Sequence, residues 1–192
     1  MTETTDDRVV LPAAFERFVL AWGSLGGAWG VNRSVSQIHA LLYLSEAPLT
    51  MDAIVDTLGI ARSNVSTSLK VLMAWGLVRR APVKGDRREH FEAETDIWEI
   101  AALIAAGRKQ REIDPALAAL KTCVAEANAD PKMTPVARKR LVAMLEFTEM
   151  ADRWHTQMMQ LPKSKLASLV GLGARVIKFI PLGKPQGRTP NG

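Results

Sequence analysis

Apolar side chains recur every three or four residues through most of this chain, and glycine, proline and capping residues punctuate the runs. From Leu49 onward the pattern predicts two short helices followed by a hairpin. Met51, Ile54, Val55 and Leu58 follow the i, i+3, i+4, i+7 stripe of a helix buried on one face. Thr50 stands before it as an N-cap, because its hydroxyl can accept a bond from an orphan backbone N–H. Gly59 suits the left-handed residue that ends such a helix. After a tight turn at Ile60 and Ala61, Arg62–Trp75 forms a second helix with Val65, Leu69, Leu72 and Met73 on its inner face. Arg62, Ser63, Asn64, Ser66, Thr67 and Lys70 fall largely outside that face, and Gly76 can terminate the helix. Leu77–Val83 and Arg88–Ala93 are strand candidates around a turn at Lys84-Gly85-Asp86-Arg87. Pro82 cannot donate to a ladder, so its strand belongs at an edge.

The flanking segments read as helical. A helix is expected from about Pro12 into the uncharged run Phe18–Asn32, where Gly23, Gly26, Gly27 and Gly30 lower helix propensity and either permit close packing or mark a break. That run is shorter than the ~20 residues of a usual membrane span. Ile97, Ile100, Ala101, Ile104 and Ala105 stripe a helix from Thr95 to about Glu112. Asp114-Pro115 is a kink or a new start, and Leu117, Leu120, Val124 and Ala127 continue an apolar face. Thr134-Pro135 caps and opens a long helix ending near Pro162. Its Phe147, Met150, Trp154 and Met158 widen the apolar surface, which calls for a partner and fits a homodimer bundle. Beyond it, Leu166, Leu169, Val170, Gly173, Ile177 and Ile180 share a helical face, Pro181 should end that helix, and a Pro/Gly-rich remainder follows. The expected organisation is an N-terminal helical dimerisation segment over 1–34, a winged helix-turn-helix over 35–93, a helical dimerisation and effector region over 94–162, and a basic C-terminal helix and tail over 163–192. The fold class is mainly α with a small β-hairpin wing.

Charge sharpens this picture. Residues 1–60 carry 3 basic and 7 acidic side chains, whereas residues 61–90 carry 7 basic and 2 acidic. A positive island centred on a helix pair and hairpin fits a surface that meets phosphate. Short polar side chains at the start of an exposed helix can approach base edges closely. Arg62, Ser63, Asn64, Ser66, Thr67 and Lys70 are therefore candidate reading residues for double-stranded DNA. Lys84, Arg87 and Arg88 are candidate contacts of the hairpin to phosphate or the minor groove. The segment 163–192 has 6 basic and no acidic side chains, which suits either docking on the dimer beside DNA or an anionic membrane surface; docking is the expectation. The overall charge of +5 permits nucleic-acid binding without establishing it.

The stretch from Leu41 to Ile100 resembles the choline-responsive GbsR branch of the MarR-type bacterial repressors. The pieces that carry the resemblance are Leu41–Leu44 with Pro48-Leu49-Thr50, Asn64-Val65-Ser66, Trp75-Gly76-Leu77-Val78, Val83-Lys84-Gly85-Asp86-Arg87 and Glu92-Ala93-Glu94-Thr95-Asp96. It continues through Arg111-Glu112-Ile113-Asp114-Pro115 and Asp152-Arg153-Trp154 and covers roughly 35–162. The resemblance implies a homodimeric, ligand-responsive repressor on a pseudo-palindromic operator. Two departures stand out: Ala61 replaces the usual capping serine, and Ser36-Gln37 stands where the family often has Gly-Arg. With this branch, choline or another quaternary amine becomes an effector candidate, since aromatic faces attract such cations. Trp98 and Trp154, with Trp29 as a third, are the candidate walls of a pocket; the plainer reading is that tryptophans at helical positions fill a core.

Other chemistries lack a pattern. His39, His90 and His155 show no ligand spacing. His39 and His155 are expected to pack or cap, and His90 to be exposed. No nucleophile elbow or phosphate-cradling loop is present, so no enzyme, metal or cofactor is expected. Cys123 lies in an apolar helical stretch and is expected to be a buried, inert thiol. The opening MTETTDD is no secretory signal, and a cytoplasmic location without stable membrane association is expected. The competing function is a winged-helix protein–protein adaptor without sequence-specific DNA binding.

Overall fold

The computed structural model describes residues 11–176. The described residues form two compact units, divided between residues 112 and 113. The first contains α1 (Ala13–Ala28), α2 (Arg33–Leu44), β1 (Leu49–Thr50), α3 (Met51–Leu58), α4 (Arg62–Ala74), β2 (Val78–Arg80), β3 (His90–Ala93) and α5 (Ile97–Arg108). A π-helical turn, Lys109–Ile113, leads into the second unit, which holds α6 (Asp114–Ala129), α7 (Pro135–Met159) and α8 (Lys163–Val176).

Helix α2 runs through the middle of the first unit. Asn32 caps it by accepting from the Ser34 N–H at 2.8 Å, and Val35, Ile38, Ala40, Leu41 and Leu42 are buried along it. Helix α1 lies against it through Gly23 and Gly26, both buried. A Cβ on Gly26 would stand 2.7 Å from the Ser36 Cβ and closer still to its Oγ. The expected close packing of the glycine run is thus localised to two positions, opposite the residues that depart from the family pattern. Gly27 faces open space.

The helix pair forms as its local signals require. The Thr50 hydroxyl accepts from the Ala53 N–H at 3.2 Å, and Gly59 closes α3 at φ 62°. Val65, Leu69 and Leu72 of α4 are buried against the core, and Gly76 follows at φ 72°. Ala61 supplies no side-chain cap, and no hydroxyl replaces it.

The hairpin differs from expectation in extent. Its strands are Val78–Arg80 and His90–Ala93, and Pro82 and Val83 belong to the connecting loop. The ladder stops because, beyond the bond from the Ala81 N–H to the His90 carbonyl at 2.9 Å, Pro82 has no N–H to give. The short strand β1 also pairs with β3, giving an antiparallel sheet of order β1-β3-β2 with Thr50 opposite His90 and Arg80 opposite Phe91. This central position buries His90, contrary to the expectation of exposure, and its Nδ1 lies 2.9 Å from the Arg88 carbonyl.

Asp96 starts α5 by accepting from the N–H groups of Trp98 and Glu99 at 2.9 and 3.2 Å. Of the expected stripe, Ile100 is buried and Ile104 partly so, while Ile97, in the first turn, is 57% exposed. Pro115 sits in the first turn of α6 and ends no helix, because the preceding π turn carries the chain on.

In the second unit, α6 packs on α7. Thr134 caps α7 by accepting from the Ala137 N–H at 3.2 Å. Arg138 closes the connection by donating to the carbonyls of Ala127 and Asp130 at 3.1 and 3.3 Å. Lys121 and Glu149 pair across the two helices at 3.5 Å. Cys123 is exposed, not buried, because it lies at the margin of the α6 face that Leu117, Leu120, Val124 and Ala127 turn inward. Met144, Phe147, Met150 and Trp154 expose 55–62% of their surface. Helix α8 covers the first part of the expected C-terminal helix. Ile177, Ile180, Pro181 and the rest of the tail lie outside the described residues. No helix among the described residues is long and apolar enough to cross a membrane.

Candidate nucleic-acid interface

The exposed face of α4 collects the predicted reading residues. Arg62, Ser63, Asn64, Thr67 and Lys70 are exposed, and Ser66 is half-buried. The inner face is fixed by Val65, Leu69 and Leu72, each no more than 1% exposed, so the polar set cannot rotate inward without emptying the core. Lys84, Arg87 and Arg88 are exposed in the loop between β2 and β3. Gly85 supplies the turn there at φ 85°.

Much of the basic island is already paired within the chain. Arg62 binds Asp52 of α3. Arg79 lies 2.7 Å from Glu92, Arg80 lies 2.9 Å from Glu89, and Arg88 lies 2.5 Å from Asp86. Asp86 also accepts from the Arg88 backbone N–H at 2.9 Å. The Arg88 side chain and N–H together hold the Asp86 carboxyl well below the usual carboxylate range, so it stays anionic and stiffens the loop. Among the described residues, Lys70, Lys84 and Arg87 have no carboxylate partner. Exposed ion pairs contribute only ~0–1 kcal/mol, so a phosphate can take over Arg62 or Arg88 at small cost. The sequence did not reveal Asp52 as a member of this surface: it precedes Arg62 by ten positions, and only the turn between α3 and α4 brings them together.

The three candidate effector tryptophans are placed differently. Trp29, the C-cap of α1, lines a small hollow of about 50 Å³ in the first unit that opens to solvent. Trp22 and Trp75, which the sequence does not mark as pocket walls, line it too. Trp98 is half-buried near the start of α5 and does not line this hollow. Trp154 is on α7 of the second unit, 62% exposed.

A three-stranded sheet appended to a helix-turn-helix, with the second helix presenting a polar face, defines the winged helix-turn-helix class. Residues 29–89 match the model of the MarR family, so this segment is similar to the winged helices of that family. The chain is 26% identical over 102 residues to the HTH-type transcriptional repressor GbsR of Bacillus subtilis (strain 168), covering 53% of this chain and 54% of that one. It therefore spans about half the length of the curated relative it matches. A solved structure described as a transcriptional regulator superposes with a TM-score of 0.59 over 76% of this chain and 95% of that one. At 17% identity, that likeness establishes the fold.

Proposed function

We propose that the protein is a transcriptional regulator that binds double-stranded DNA through α4 and the loop between β2 and β3. On this reading it acts as a cytoplasmic homodimeric repressor at a pseudo-palindromic operator and releases or tightens on a small-molecule effector. The observation that carries the reading is the polar face of α4 held outward beside the unpaired cations Lys70, Lys84 and Arg87, within the segment that matches the MarR family. The repressor named among its relatives supports the direction of regulation. The apolar side chains exposed on α7 support a second copy as partner, because patches of this kind on a lone chain mark an interaction surface. Symmetry would then give two reading heads.

Duplex titrations of the full chain across a salt series test this. Each of Lys70→Ala, Lys84→Ala and Arg87→Ala should lower the salt slope by about one per reading head, about two for the dimer, since each phosphate contact releases about one counterion. Asn64→Ala should change sequence preference more than nonspecific affinity. A wild-type protein that binds no duplex at low salt would instead be a winged-helix adaptor, and unchanged slopes in all three variants would place the DNA surface elsewhere.

A further inference from the structure

One buried ring in the sheet meets two acceptors of the loop between β2 and β3. His90, 7% exposed, opens β3. Its Nδ1 stands against the Arg88 carbonyl, and its Nε2 lies 3.4 Å from the Asp86 carboxylate. A carbonyl can only accept, and so can an ionised carboxyl. The Arg88 side chain and backbone N–H keep Asp86 ionised. A neutral imidazole has a single N–H. Placed on Nδ1, it leaves the Nε2 lone pair turned on a carboxylate. Placed on Nε2, it leaves the Nδ1 lone pair turned on a carbonyl. Only the imidazolium donates to both. The other charged groups of the neighbouring elements are occupied elsewhere. Strand β1 sets the uncharged Thr50 opposite His90, and the arginines of β2 pair with Glu92 and Glu89. Asp52, Arg62 and Glu89 line a hollow with Arg88 and Phe91, and there Arg62 binds Asp52. Helix α2, which packs on β3, has three ionisable side chains. The stem of Arg33 passes Gly23 of α1, and the rings of His39 and Tyr43 lie beside Trp22 and Phe18 of the same helix. Asp86 is thus the carboxylate that His90 meets.

We infer that His90 is a positioning residue of the DNA-contacting loop, and that its imidazolium fastens the loop by donating to the Arg88 carbonyl and the Asp86 carboxylate. Asp86 then accepts from three sides at once: from His90, from the Arg88 backbone N–H at 2.9 Å and from the Arg88 guanidinium at 2.5 Å. The ring thereby orients the carboxylate, and the carboxylate orients Arg88. Such charge-assisted contacts are stronger and more directional than neutral ones. The rest of the loop has little to hold it. Pro82, Val83, Lys84, Gly85 and Arg87 are exposed, and the Asp86 N–H donates to the Val83 carbonyl at 3.1 Å. Loss of the Nε2 proton turns a lone pair on the carboxylate and releases that end of the loop. Lys84 and Arg87 then lose a fixed position relative to α4. Imidazoles change charge between about pH 5 and 8, so the loop's share of DNA affinity is present at the acid end of that window and is lost as pH rises through it. This consequence rests on the function proposed above, whereas the state of the ring does not require DNA.

Two measurements on the full chain test the inference. In nitrogen-15 NMR of the histidine rings at about pH 6, His90 should carry a proton on each nitrogen, and both N–H signals should be protected from exchange with water. Duplex titrations at fixed salt, at about pH 6 and pH 8, read the consequence. Wild-type affinity should fall roughly threefold to fivefold per reading head across that interval, the range that loss of one ion pair covers. His90→Gln cannot titrate and should hold its affinity within about twofold over the same interval. Lys84→Ala with Arg87→Ala keeps the ring and removes the cations that it positions. This variant should respond to pH as weakly as His90→Gln, whereas a ring that acted on DNA by its charge alone would leave the response intact. The loop variant is altered at exposed positions and decides the matter even where a melt shows His90→Gln to be unfolded. A His90 ring that is neutral at about pH 6, an equal pH response in wild type and His90→Gln, or a response that survives removal of Lys84 and Arg87 overturns the inference. A chain that binds no duplex at either pH sinks the proposed function alone, since the ring spectrum decides the fastening without DNA.

Discussion

Two neighbouring glycines in α1 should respond to alanine with opposite signs. Gly26 is buried against α2, and an added Cβ would lie 2.7 Å from the Ser36 Cβ and nearer still to its Oγ. Carbon atoms at optimal separation stand ~3.5–4.0 Å apart, so the two helices must part by roughly 1 Å or Ser36 must shift with its backbone. Overpacking of this kind costs ~1–3 kcal/mol, and the contact here is with a side-chain stem close to the main chain, so the upper half of that range applies. At Gly27 the same methyl meets nothing within 4 Å. There the gain is the reduced freedom of the unfolded chain, ~0.4–1 kcal/mol. Urea denaturation followed by tryptophan fluorescence reads both variants, because Trp22 and Trp29 flank the site. Ser36→Gly in the Gly26→Ala background should recover part of the loss, with a coupling of ~1 kcal/mol or more in a double-mutant cycle. The reasoning fails if Gly26→Ala is neutral, if both glycines respond with the same sign, or if Ser36→Gly gives no coupling.

What the sequence revealed was local, and what it concealed was mostly non-local. Thr50, Gly59, Gly76 and Thr134 each perform the role that their type and spacing predict, because a cap or a left-handed turn depends on a few adjacent residues. The α3–α4 pair was legible for the same reason. The strand β1 was not, since two residues carry no period and exist as a strand only by pairing with β3 forty positions later. That pairing decides the burial of His90 and removes it from the cationic surface. The interface was legible in its residue types and illegible in its charge state. The spacing of Arg79 and Glu92, or of Arg62 and Asp52, says nothing of contact until strand register and helix crossing are known. The hollow was the least accessible of all. His39, Trp75, Arg108 and Arg111 come from two helices, the cap of a third and a π turn, and no single segment contains a motif for it.

Further outcomes follow from particular contacts. Asp52→Asn should release Arg62 and raise nonspecific duplex affinity, steepening the salt slope by up to about one per reading head; an unchanged slope would mean that Arg62 does not reach phosphate. Thr50→Ala should destabilise the first unit by ~1 kcal/mol through loss of the bond from the Ala53 N–H, as read by urea denaturation, and a loss below a few tenths would show that the cap is replaced by water. His39 makes the most specific prediction for pH. Burial among apolar and aromatic neighbours, including Trp22 at 6.5 Å and Tyr43 at 6.4 Å between ring centres, lowers its pKa from 6.5 to about 4. The folded state thus resists the proton that the unfolded chain accepts near pH 6.5. Because the unfolded state binds more protons in this window, stability rises with pH. It is fully present above pH 6.5 and is lost as pH falls toward 4. At about 1.4 kcal/mol per pKa unit, the whole effect is roughly 3 kcal/mol, of which roughly 2 should appear between pH 7 and pH 5. His39→Gln cannot titrate, so its unfolding free energy should vary less over that interval by this amount, while the groups common to both proteins cancel in the comparison. Parallel pH profiles for the two proteins would show that His39 reaches water or a proton acceptor in solution, and burial would then no longer account for a neutral imidazole in the hollow.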